Sequence, residues 1–194
     1  IFNQYFSVVT GGKVDVRLKD SGGKKHHVWF VANAGNLGKI DTEAALKEHV
    51  LTYSSTDVGL PENQLCGMTG MWNGVINDGG VESIHVDLTR LVAKISFAYL
   101  TGGMAFSFTP TSVTLNSVPD RYQIEAPSNQ LITDVTYKTY SGTANRDGAT
   151  MYWYLPENMA GTVSDENAVD AEKKKTGKGV TKATYIELKG QAVQ

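Results

Sequence analysis

Four histidines, one cysteine and twenty carboxylates are the residues of this 194-residue sequence that could do acid–base, nucleophilic or metal chemistry. His26, His27, His49 and His85 are scattered, and no H-E-x-x-H pair or comparable ligand spacing links them. Cys66, in "QLCGMTG", matches no cysteine-nucleophile signature; as the only cysteine it rules out an internal disulfide and a cysteine-based zinc cluster. Its expected role is that of a partly buried small hydrophobe. There is no G-x-S-x-G elbow, and "TGGKVDV" lacks the Lys-Ser/Thr ending of a phosphate loop. Carboxylate pairs for glycoside hydrolysis are defined in space, so sequence spacing cannot establish them in a sandwich. The expectation is a chain that is not an enzyme, with no catalytic residue, no metal and no cofactor.

Aromatic residues offer a different chemistry. Trp29, Trp72 and Trp153, with Tyr152 and Tyr154, could stack on pyranose rings. Alternation in "MYWYLP" places Tyr152 and Tyr154 opposite Met151 and Trp153, and Trp29 lies in an apolar run, so most of these rings are expected to fill the core. Trp72, in a Gly-rich stretch, is the exposed candidate. A carbohydrate-binding module is therefore the alternative reading.

The elements that would position these residues are mostly strands. "KVDVRLKD" alternates Val14, Val16 and Leu18 with charge and reads as a half-buried strand, with "HVWFVANAGN" as its hairpin partner and a central, doubly buried strand. "DTEAALKEHVL" reads as a short helix capped by Asp41 or Thr42, with Ala45, Leu46, His49 and Val50 on one side. Glycines from Gly67 to Gly80 suggest hairpins or irregular edges. "TSVTLNSVP", "LITDVTYKTY", "ATMYWYLP" and "ATYIELKG" carry β-branched and aromatic strand signals, and "SDENAVDAEKKKTGKG" reads as a solvated loop.

"VDLTRLVAKISFAYL" fits two periods. Leu88, Leu91, Val92 and Ile95 recur at helical spacing, whereas Leu91, Ala93, Ile95, Phe97 and Tyr99 alternate as one strand face. The alternation runs on to the Gly102–Gly103 turn, so Leu91 to Leu100 is read as a core strand with Leu91, Ala93, Ile95 and Phe97 facing inward. "DLTRL" is left as one helical turn or a strand opening with a bulge. Short strands, turns and one brief helix add up to a mainly β chain, a β-sandwich.

Net charge is −2 with a pI near 6.1. No excess of Lys and Arg exists to neutralise a phosphate backbone, which argues against nucleic acid as a partner. The apolar runs are far shorter than the roughly 20 residues of a membrane-spanning helix, so no transmembrane segment is expected.

"VDLTRLVAKISF" (86–97), "TSVTLNSVPDRY" (111–122), "YLPENMAG" (154–161) and "ATYIEL" (183–188), preceded by "VWFVANAGNL" (28–37) and a helix, resemble in order and wording the fimbrillin superfamily of Bacteroidales. The resemblance implies a transthyretin-like β-sandwich exported as an outer-membrane lipoprotein to the cell surface. There it would serve as a stalk, anchor or tip subunit of fimbriae. It implies other fimbrial subunits as partners through strand exchange, and host or bacterial surface ligands for adhesion. The family's lipidated Cys and opening strand have no counterpart upstream of Val14, and its later strands none after "ATYIEL". The expectation is thus one fimbrillin-like domain over 1–194 that lacks those strands.

Overall fold

The computed structural model describes residues 2–7, 11–19, 21–53, 60–61, 66–77, 83–103, 106–125, 134–158 and 182–193. These form ten strands and one short helix, with every strand pairing antiparallel. The chain is mainly β, and the sheets share a core in the manner of a β-sandwich.

Strand β1 (Lys25–Ala32) pairs along its whole length with β3 (Met68–Val75), which takes β4 (Thr89–Arg90) on its other side. The Gly-rich stretch is therefore a central strand, and β1 is an edge strand rather than a doubly buried one. Its glycines mark close approaches instead of breaks. The Trp72 ring lies over Gly74, where any Cβ would collide with the indole. The expected strand at Val14–Leu18 is absent: residues 11–19 join no sheet, and β3 holds the place beside β1. Ser21 ties that preceding chain to the end of β3 through Ser21 N to Ile76 O at 2.9 Å and Ile76 N to Ser21 Oγ at 3.1 Å. Residues 2–7 likewise form no strand, and Asn3 Nδ2 donates to Ile40 O at 2.9 Å.

Helix α1 (Glu43–Lys47) begins where the sequence places it, with Thr42 Oγ1 accepting from Ala45 N at 3.0 Å. It is shorter than the apolar spacing suggests. Glu125 N bonds Lys47 O and Ile124 N bonds His49 O, drawing the chain straight into β2 (Val50–Thr52), which pairs with β7 (Arg121–Gln123).

"DLTRL" is not helical. Thr89–Arg90 pair with β3, Leu91 N donates to Gly67 O at 2.8 Å, and β5 (Val92–Phe97) then pairs with β9 (Met151–Pro156). One extended stretch thus passes from one sheet to another, the way strands turn sandwich corners. The fourth sheet centres on β6 (Ser107–Pro119), flanked by β8 (Tyr137–Thr143) and β10 (Tyr185–Val193). The β6–β8 register shifts between Leu115 and Val118, where Ser117 adopts a left-handed φ of 56°. Ser117 O accepts from Thr184 Oγ1 at 2.7 Å and from Asn158 Nδ2 at 3.2 Å, so two side chains hold a conformation that favours glycine. The expected loop at 164–179 lies outside the described residues.

The core gathers Val113, Leu115 and Val118 of β6, Leu51 of β2, Tyr140 of β8 and the inward side of β9. Trp153 is wholly buried, and Phe97 stacks on it with ring centroids 5.7 Å apart. Trp153 Nε1 has no hydrogen-bond partner among the described residues, a desolvation cost set against the burial of a large ring. Trp153→Ala should destabilise the fold by about 3–5 kcal/mol in urea denaturation, by large-to-small precedent. Trp153→Phe, which keeps a ring and removes the unpaired N–H, should cost clearly less in the same measurement.

Candidate functional site

The pairing of β5 with β9 builds a two-stranded sheet with two different faces. On the inner face Ile95 lies opposite Trp153 and Phe97 opposite Met151. On the outer face Lys94 lies opposite Tyr154, and its Nζ sits 4.5 Å from the Tyr152 ring centroid and 6.0 Å from that of Tyr154. Such a contact is a cation–π interaction at a solvated surface. Tyr152 is 48% exposed. Tyr53 donates its hydroxyl to Tyr154 O at 2.7 Å, and burial pushes the Tyr53 phenol well above its ordinary value.

Among the described residues, neither β5 nor β9 has a ladder partner on its outer edge. β9 carries no charged side chain along its six residues. Proteins commonly protect such edges with Lys, Pro or a bulge, and here Pro156 blocks only the end. With no further ladder partner among the described residues, and with Tyr154 O bonded by the Tyr53 hydroxyl, the apolar β9 is a chemically distinctive edge of the fold.

The expected core-strand residues are placed unevenly. Leu91, Ile95 and Phe97 are partly buried and pack against the core, but Ala93 is exposed and Val92 is buried instead. The stretch changes sheets at Leu91, and the unbroken pairing with β9 puts Ala93 on the same face as Ile95 and Phe97, opposite the buried Leu155, where it nonetheless stays exposed, while Val92 is buried opposite Pro156. The aromatic expectation needs the same correction: Trp72 is partly buried over Gly74, whereas Tyr152 is the exposed ring. Alternation does set the two tyrosines of β9 off from Met151 and Trp153, and of the two Tyr152 is exposed while Tyr154 is partly buried against the core.

Cys66 is partly buried against the core, and burial pushes its thiol above the ordinary 9.0, away from the thiolate needed for nucleophilic work. Among the described residues no three His, Cys, Asp or Glu side chains converge to hold a metal, and no helix is long and apolar enough to cross a membrane. The densest polar group spans β1, α1 and the end of β7. His27 Nδ1 lies 2.8 Å from Glu43 Oε2, and Lys47 Nζ lies 2.9 Å from Glu125 Oε2 and 3.5 Å from Glu43 Oε1. Comparison with protein-family models, with curated proteins and with solved structures yields no match to this chain.

At one end of the β5–β9 sheet the two loops are joined by Asp147. Thr101 donates to its carboxylate from Oγ1 at 2.6 Å and from the backbone N at 3.1 Å, and the Tyr99 hydroxyl bonds Asn145 O. These donors hold the Asp147 carboxyl below its ordinary 3.8, the Thr101 hydroxyl contributing most. The contacts are therefore at full strength above pH 3.8 and are lost as pH falls through the lower folded value. An NMR carboxyl titration should place Asp147 below 3.8 in the native chain, and Thr101→Val should raise it.

Proposed function

We propose that the chain is a structural or adhesive subunit of bacterial surface fimbriae that assembles by β-strand exchange. The observation that supports this best is the uncharged edge of β9 in a two-stranded sheet with no further ladder partner among the described residues. A strand from a neighbouring subunit would satisfy that edge with main-chain hydrogen bonds. The resemblance of the strand motifs to fimbrillins adds the transthyretin-like topology, the lipoprotein precursor and the outer-membrane setting to the reading. Stalk, anchor and tip subunits would share this edge chemistry, with adhesion to host or bacterial ligands supplied elsewhere on the surface.

A carbohydrate-binding module is the second reading, favoured by the exposure of Tyr152. Against it, the Lys94 ammonium already lies over that ring, so a flat sugar-stacking platform is partly occupied.

Sedimentation velocity and negative-stain microscopy over rising protein concentration separate the two. Strand exchange calls for detergent-resistant oligomers that lengthen into rods, and for their loss in a folded Tyr152→Lys variant, which sets a second lysine beside Lys94 on an edge strand. A monomer at every concentration, with saturable glycan binding abolished by Tyr152→Ala, would establish the carbohydrate reading instead.

A further inference from the structure

Helix α1 has no fully buried residue, yet it is fastened across three elements by side-chain contacts. Glu43 is the centre: His27 of β1 lies on one carboxylate oxygen at 2.8 Å and Lys47 of the helix itself on the other at 3.5 Å. Lys47 in turn reaches Glu125, just past β7, at 2.9 Å, and its ammonium sits 5.3 Å from the centre of the Trp29 ring on β1. Trp29 and His27 alternate onto one side of β1, so the helix lies over that side. Main-chain anchors flank the clasp, with Ile40 buried before it and Glu125 N bonded to Lys47 O after it.

We propose that α1 is an acid-opened strap over Trp29, closed by the His27–Glu43–Lys47–Glu125 clasp and hinged on the main-chain anchors at either end. Few apolar contacts oppose the opening, Leu46 being the one helix residue packed on the core. Segments with little buried apolar area open locally at low free-energy cost, independently of the global fold. Protonating Glu43 removes the charge that faces His27 and Lys47 together. The charged groups facing Glu43 are His27 from β1 and Lys47 from its own helix; those facing Lys47 are Glu43 and Glu125.

The direction follows from linkage. The hydrogen bond from His27, more than any other contact, holds the Glu43 carboxyl below its ordinary 4.5. A carboxyl lowered by folding adds stability that is complete above its unfolded value and is lost as pH falls through the folded one. The strap is therefore shut at neutral pH and opens below pH 4.5. Lys47 is raised above 10.5, chiefly by its hydrogen bond to Glu125, so the ammonium's contribution is present at neutral pH and, on the alkaline side, is lost as solution carries it past the folded value.

The test stands apart from assembly, because it reads α1 against β9 within one chain. Hydrogen exchange of the full chain is followed between pH 7 and 3 with intrinsic rates corrected, together with tryptophan emission of native protein and Trp29→Phe. The expected result is that α1 amides lose protection by about tenfold or more relative to β9 amides as pH falls. An emission change that disappears in Trp29→Phe should accompany it. Glu43→Gln should show the open pattern already at neutral pH while leaving β9 protection unchanged. Loss of α1 and β9 protection together, or α1 protection unchanged to pH 3, would overturn the proposal. So would a Glu43→Gln variant that exchanges like the native chain at neutral pH.

Discussion

The stretch from Thr89 to Phe97 belongs to two sheets, and the relative placement of everything else depends on it. Its first two residues complete the ladder of β3, Leu91 N closes that ladder on Gly67 O, and from Val92 the backbone pairs with β9. Backbone N–H and C=O groups need partners wherever they leave water, so a chain shared between sheets fixes the angle and distance at which both can be satisfied. The β1–β3–β4 sheet is thereby carried to one side of the core that β5 and β9 cover. Leu91, at the crossing, packs against that core while donating to the other sheet.

A second constraint lies opposite. β6 runs through thirteen residues, too far to stay in step with β8, and it resolves the mismatch at Asn116–Ser117. Asn158, two residues past β9, donates to Ser117 O, to Lys182 O at 2.6 Å and to Thr184 Oγ1 at 2.8 Å. One amide thus links the bulge of β6, the end of β9 and the approach to β10. Bulges of this kind bend a strand and increase its twist, which lets a long central strand curve around a core. With Leu91 crossing on one side and Asn158 on the other, β9 is located by its neighbours rather than by a full complement of ladder bonds. A strand held in that way can keep an edge open.

The sequence was most legible where burial is one-sided and long. The strand signals for β6, β9 and β10 rest on runs rich in β-branched and aromatic residues, and each falls on a strand; "LITDVTYKTY" meets β8 only from Tyr137, with 131–133 outside the described residues. The Thr42 cap was readable because it is a local hydrogen bond. What sequence patterning missed was decided by partners far along the chain. Val14, Val16 and Leu18 alternate well, but residues 11–19 join no ladder and β1 pairs with β3 instead, leaving Val14 and Leu18 partly buried and Val16 exposed. The glycines of β3 look like breakers until Trp72 is seen lying on Gly74. At the β5–β9 site, alternation carried Leu91, Ile95 and Phe97 to the core side, but Ala93, on the face opposite Leu155, is exposed, because strand parity fixes the face and not how much neighbouring chain covers it.

The same reasoning explains why the two distinctive surfaces of the molecule differ in chemistry. Around α1 the contacts are charged and solvated, each worth little alone, and they act together only because Glu43 and Lys47 each serve two partners. β9 itself carries no charged side chain, and its Met151, Trp153 and Leu155 are committed to the core on one side. Protonation acts directly on the first surface, while β9 itself carries no carboxylate or imidazole and meets titration at the Asp147 contacts that close one end of its sheet. Conversely, a strand laid along β9 would satisfy backbone groups without disturbing the α1 clasp, which is built on β1 and the end of β7. One fold therefore carries a clasp of charged side chains around α1 and an uncharged strand, β9, whose inward side holds the buried Trp153.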